Sequence, residues 1–170
     1  MTKTIFAGPL FLAAAALGLA APAQATPWQT NEYGFPGSFG VVYVAMQQSD
    51  NPAGYELGYE CDNNYFEDLI YVKMAEPFDP STSYAPEVPT TFWIDGKAIE
   101  MSGRFENSEG ILYASYYAIW SEAFSSLITQ IAEARSEIRV TFFDKDLTFS
   151  STGAADALRY ADGNCRGAYF

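Results

Sequence analysis

Histidine is absent from all 170 residues, and that absence excludes more chemistry than any motif adds. No Ser-His-Asp or Cys-His relay can be assembled without it, and zinc hydrolysis on imidazole ligands is closed as well. Cysteine is scarce, limited to Cys61 and Cys165. A zinc site asks for four ligands, usually Cys and His, so two thiols read as one disulfide, the product of an oxidising compartment. Basic side chains are few: nine Lys and Arg stand against 21 Asp and Glu, for a net charge of −12. A field of that sign opposes nucleic acid and anionic lipid and favours cations or basic partners. The acids are spread along the chain, and none of them gathers into a tail.

The one long apolar run lies at the start. "IFAGPLFLAAAALGLA" follows Lys3, and Ala23-Gln24-Ala25 has the small-x-small pattern of a signal-peptidase site. Polar "TPWQTNEYG" comes next where a membrane anchor would carry a stop-transfer flank. Residues 1–25 are therefore expected to be a signal peptide, with no membrane insertion after its removal and a periplasmic or secreted product. Residues 26–170 fit one β-rich domain, long enough to bury a substantial core. Without Lys3, eight basic side chains face 21 acidic ones, a net charge of −13.

Periodicity predicts the elements. Residues 26–40 are rich in Gly and Pro and read as a loose lead-in. "VVYVAMQ" (41–47) reads as a buried strand. "YELGYEC" (55–61) alternates, with Tyr55, Leu57, Tyr59 and Cys61 on one face and Glu56, Gly58 and Glu60 on the other. "DLIYVKM" (68–74) is a third strand, and the proline-rich stretch 75–90 is the longest irregular segment. Asp95-Gly96 suits a two-residue hairpin turn between "TFWI" and "KAIEMSGRF", and "GILYASYYA" (110–118) continues the sheet. From Trp120 the period changes: Phe124, Leu127, Ile128 and Ile131 share one helical face, with Ser121 as N-cap. "EIRVTFF" (137–143) and "LTFSS" (147–151) pair across Asp144-Lys145-Asp146, and a last helix runs from about Thr152 to Ala161. The fold class is mainly β: an antiparallel β-sandwich or partly closed barrel of about eight strands, with one crossover helix and a short C-terminal helix.

Little in this pattern carries catalysis. The corner Ser150-Ser151-Thr152-Gly153 lacks the paired glycines of a nucleophile elbow, and it reads as a clasp. Ser151 or Thr152 caps the last helix, and Cys165 beyond it bonds to Cys61 on an early strand. Lys145, placed in a turn between aspartates, is expected to be solvated and charged. Carboxylate chemistry needs no histidine, so a small hydrolase acting on cell-wall or polysaccharide material is the alternative function. Its densest acids are Glu60, Asp62, Glu67 and Asp68. Asp62, Asn64 and Glu67 do not match an EF-hand loop, since Phe66 and Glu67 occupy its fifth and sixth positions. No catalytic residue, metal or cofactor is assigned.

Aromatics are abundant, and 26 of the 28 lie beyond residue 25. Most suit half-buried strand positions, but adjacent ones such as Tyr65 and Phe66 point to opposite faces, so some reach the surface, where they suit recognition. The leading expectation is an exported, non-enzymatic binding module of the bacterial envelope. Its partner is a protein or envelope component, with a basic one favoured by charge. Phe78 and Tyr84 in the proline-rich loop, with Asn64 and Tyr65, are the binding candidates.

Three segments, "IDGK" (94–97), the amphipathic helix after the following strand, and "TFSSTGAADAL" (148–158), resemble the invasion-associated locus B type of bacterial envelope protein. The resemblance covers roughly residues 90–165. It implies an exported β-rich protein acting by interaction, with no catalytic residues to carry over.

Overall fold

The computed structural model describes residues 27–34, 40–63, 67–80 and 87–166. Nine antiparallel strands form one sheet that does not close: β1 (Gln29–Gly34), β2 (Val41–Gln48), β3 (Glu56–Asp62), β4 (Glu67–Pro77), β5 (Val88–Ile94), β6 (Lys97–Ser108), β7 (Ile111–Tyr117), β8 (Ile138–Phe142) and β9 (Lys145–Phe149). Their order across the sheet is β1-β2-β3-β4-β7-β6-β5-β8-β9. Two helices complete the fold, α1 (Phe124–Glu133) and α2 (Ala154–Arg166). The mainly β architecture is the one the alternating patterns predict.

Strand β6 joins two half-sheets. Its first part, through Gly103, pairs with β5, and Arg104–Ser108 pairs with β7. Gly103 sits at the changeover for a steric reason. A Cβ there would lie 2.5 Å from the Ser115 carbonyl oxygen and 2.6 Å from the Tyr116 ring. Tyr116 is fully buried, meets Phe92 edge-on at 5.5 Å and shares a 2.6 Å hydrogen bond with Thr90. The far edges approach as well: Asp50 N donates to Thr148 O and Thr148 N to Asn51 O. That short bridge ties the β2–β3 connection to β9 without a full ladder.

The core lies on one face of the sheet, where Leu57, Ile70, Val72, Phe92, Val140 and Leu147 are buried with the apolar sides of both helices. In α1 the buried residues are Phe124, Leu127 and Ile131, the expected helical stripe. The N-cap is Ala123, without a side-chain cap, and not Ser121 as expected; the Ser121 hydroxyl accepts from the Ala123 amide at 3.2 Å in the turn before the helix. In α2, Ala154, Ala157, Leu158, Ala161 and Cys165 form a narrow buried stripe of mostly small residues, and α2 packs against β2 and β3.

The corner before α2 is a clasp, built with different atoms from those expected. Trp28 Nε1 donates to the Ser150 carbonyl at 2.7 Å, and Trp28 N donates to the Thr152 carbonyl at 2.9 Å. The hydroxyl that receives a backbone amide is that of Ser150, which accepts from Thr152 N. Gly153, at φ +81°, turns the chain close beneath Pro27 and Trp28. The Cys61–Cys165 disulfide, with Cα atoms 5.9 Å apart, then fixes α2 to β3.

Several boundaries differ from the sequence reading. The lead-in holds a strand: β1 is exposed throughout and is defined by backbone pairing with β2, so it has no burial pattern to read. The irregular stretch is shorter than 75–90, because β4 extends to Pro77 and β5 begins at Val88. The β8–β9 turn falls at Phe143-Asp144, with Phe143 at φ +48°; a phenylalanine gives no signal for a left-handed turn residue. Lys145 is therefore a strand residue paired to Glu76, which corrects its placement in a solvated turn. Helix α2 runs through Gly163 to Arg166, carrying Cys165 within it. The proposed signal peptide lies outside the described residues.

Two outcomes follow from this packing. Gly103→Ala should destabilise the protein by about 1–3 kcal/mol, the usual range for overpacking; an unchanged urea midpoint would show that the β6 bend accommodates a side chain. Replacing both cysteines by serine frees a loop closed over a separation of 104 residues. The chain-entropy model puts that loss at about 4–5 kcal/mol, to be read from urea denaturation of the oxidised protein and the double variant.

Candidate functional site

Strand alternation sends one set of side chains to the core and the other to the opposite face. On β3 the second set is Glu56, Gly58, Glu60 and Asp62; on β4 it is Leu69, Tyr71 and Lys73. Register continues it through Tyr113, Ser115 and Tyr117 on β7 and through Arg104 and Glu106 on β6. This face has its own buried members, among them Val44, Glu56, Tyr71 and Ser115.

A glycine organises the centre. Gly58 stands across the ladder from Tyr71, and a Cβ on it would come within 2.1 Å of the tyrosine ring. The phenol lies over the bare backbone there, and its hydroxyl donates to Glu56 Oε1 at 2.8 Å. Gln48 Nε2 supports the other Glu56 oxygen at 2.5 Å. Tyr71 and Tyr113 meet edge-on with centroids 5.6 Å apart. Burial, then the charge and hydrogen bond of Glu56, push the Tyr71 hydroxyl far above its ordinary pKa, so it stays a donor.

At the other side, Glu106 is held by two donors. Arg104 Nε reaches Oε1 at 2.7 Å and the Tyr117 hydroxyl reaches Oε2 at 2.8 Å. The Arg104 guanidinium also lies over the Tyr117 ring, 5.2 Å from its centroid. Desolvation and the adjacent Glu106 push the Tyr117 hydroxyl up to about 12.

Between these clusters lies a groove of about 460 Å³, lined by Glu60, Leu69, Tyr71, Tyr113, Tyr117 and Glu106 among others. Glu60 is its distinctive member. The carboxyl is half-buried and receives no hydrogen bond from a described residue. Desolvation first, then the charges of Glu56 and Asp62, push its pKa up to about 7.

A larger hollow of about 650 Å³ lies beside Asp95, Lys97, Gln130 and Arg135. Its acid is already committed: Asp95 accepts from the amides of Arg135 and Ser136 and from the Ser136 hydroxyl, tying the β5–β6 turn to the end of α1. Those bonds hold Asp95 below the usual carboxylate range. That hollow is a by-product of a tie.

Of the binding candidates read from sequence, Asn64, Tyr65 and Tyr84 lie outside the described residues. Phe78 packs half-buried against the core, with its amide donating to the Gly110 carbonyl at 3.0 Å. The acidic set 60–68 is divided by alternation: Glu60, Asp62 and Glu67 share the groove's face, while Asp68 turns to the core side opposite Cys61. Among the described residues, no group of three His, Cys, Asp or Glu could hold a metal ion. Tyr71, Tyr113, Tyr117 and Glu106 went unnoticed in the sequence because only register brings them beside β3. The alternation of "YELGYEC" was the one available signal. Comparison of the chain with protein families, curated proteins and solved structures gives no match.

Glu60 supplies a pH test. Its raised pKa means that the folded state holds this proton more tightly than the unfolded chain does. The associated stability is complete below about 4.5 and is lost as pH rises through about 7. The difference is roughly 3 kcal/mol. Glu60→Gln should remove that dependence, leaving stability little changed at pH 4 and raising it above wild type at pH 8. Parallel urea curves across that range check it; a variant less stable than wild type at pH 8 contradicts it.

Proposed function

We propose that the protein is an exported binding module of the bacterial envelope, periplasmic or secreted, that engages its partner through the Glu60 groove. The observation that carries this reading is the contrast among the acids. Glu56 and Glu106 are each held by two donors, whereas Glu60 is presented into a tyrosine-lined groove with none from the described residues. A half-buried carboxyl without a donor is costly to keep, so its presence in a concave aromatic surface favours recognition. The disulfide fits an oxidising compartment, and no helix among the described residues is long and apolar enough to cross a membrane.

Hydrolysis has weaker support. A glycosidase places two carboxyls roughly 5–9.5 Å apart on either side of the scissile bond. The backbones of Glu60 on β3 and Glu106 on β6 are separated by three strand steps, about 14 Å at ordinary strand spacing, so their side chains would have to lean toward each other to act as such a pair. The acids that raise the Glu60 pKa, Glu56 and Asp62, lie beside it on the same strand and face, so they do not oppose it across a cleft.

The test compares Tyr113→Ala with wild type in capture of envelope components on immobilised protein. Loss of a bound species, with a thermal midpoint within a few degrees of wild type, supports the groove. Capture should also weaken as salt rises past physiological strength. Undiminished capture by Tyr113→Ala rejects the groove as the binding surface. Glycan hydrolysis that Glu60→Gln abolishes would establish the enzyme instead.

A further inference from the structure

We infer that the groove receives an organic cation, an ammonium or guanidinium group, held between the Glu60 carboxylate and the Tyr113 ring. This rests on the binding reading above and gives that site its ligand chemistry. The argument comes from a pattern the fold repeats. Arg104 is clamped by the Glu106 carboxylate and lies over the Tyr117 ring. Lys145 is paired with Glu76 and lies over the Tyr55 ring at 5.8 Å. In both places a carboxylate and a tyrosine face hold one of the chain's own cations, an arrangement stabilised by ion pairing and by the ring quadrupole.

Glu60 and Tyr113 line the same groove, and Glu60 is close enough to act electrostatically on the Tyr113 hydroxyl. No cation of the chain is paired with Glu60 among the described residues. Arg104, the guanidinium on this face, is engaged by Glu106 and Tyr117. Lys73 is set in register with Glu56 and Tyr113.

The surrounding charge has the sign a cation needs. Glu56 and Asp62 flank Glu60 on β3, and β4 contributes Glu67, Tyr71 and Lys73 to the same face. Strand β7 adds Tyr113 and Tyr117, and β6 adds Arg104 and Glu106. Val44 stands opposite Glu60 on β2, and Tyr33 of β1 acts on Tyr71 and Tyr113. Carboxyls outnumber cations in this set, within a chain of net charge −12. Desolvation first, and then the charges of Glu56 and Asp62, hold the Glu60 pKa at about 7; an arriving cation supplies the missing counter-charge, so binding is coupled to release of the Glu60 proton. Affinity therefore rises with pH, by about tenfold between pH 6 and pH 8 for one group titrating near 7.

Calorimetric titration of the purified protein at fixed ionic strength tests this. The probes are N-acetylarginine amide and N-acetyllysine amide as side-chain mimics, choline as a free small cation, and N-acetylglutamine amide and a neutral disaccharide as controls. The expected result is binding of at least one cation, about tenfold tighter at pH 8 than at pH 6. Proton release at pH 6 should appear as a dependence of the heat on buffer ionisation enthalpy. Preference for the amino-acid amides assigns the group to a basic side chain of a protein partner, and preference for choline assigns it to a free cation. Glu60→Gln should lose both affinity and pH dependence, and Tyr113→Leu should lose affinity while keeping the pH dependence. Equal cation binding by Glu60→Gln would falsify the inference, since general attraction to an acidic surface would then suffice. Binding of the disaccharide alone, lost in Tyr113→Leu, overturns the cation assignment and leaves the groove as a binding site. Failure of every probe, together with undiminished envelope capture by Tyr113→Ala, overturns both readings.

Discussion

The passage of β6 from one half-sheet to the other is the constraint on which the rest of the molecule depends. It is possible because Gly103 has no side chain where the Ser115 carbonyl and the Tyr116 ring approach. Core and groove both follow from that contact. On one side, Tyr116 joins β7 to β5 through Phe92 and Thr90. On the other, Arg104 begins the pairing with β7 and meets Glu106 and Tyr117. A side chain at 103 would disturb the hydrophobic centre and the guanidinium clamp together.

The groove shows two ways in which a sheet can hold carboxyls on one face. Like charges on one face repel, and burial increases the penalty. Glu56 and Glu106 avoid it by accepting two donors each, and their tyrosine donors have raised pKa values that keep them protonated. Glu60 receives no such donor from the described residues, and burial first, then the charges of Glu56 and Asp62, raise its pKa. The three glutamates share one chemical type but differ in the donors that face them.

Much of the fold was legible in the sequence and most of the site was not. Alternation in "YELGYEC", the Asp-Gly turn and the stripe of Phe124, Leu127 and Ile131 are local signals, and the structure follows them. The disulfide followed from there being two cysteines. Elements without burial or turn chemistry escaped, as with β1 on its exposed edge and the turn at Phe143. The groove depends on pairing β3 with β4, β4 with β7 and β7 with β6, so residues 60, 71, 106 and 117 meet through register. Gly58 looked like one more polar-face position until Tyr71 was set opposite it.

The ties of Trp28 to Ser150 and Thr152, and of Cys61 to Cys165, also govern the order in which the chain can fold. An early segment waits for a partner more than a hundred residues later. Contacts of such range slow folding, because loop closure precedes the interactions that reward it. No early intermediate made from β2, β3 and β4 alone can dock α2, since α2 follows all nine strands in the sequence. The part of the apolar face on β2 and β3 that α2 covers therefore stays open until α2 has been made. Until α2 arrives, a nascent chain carries that face open, and it depends on its surroundings to keep the face from other partners.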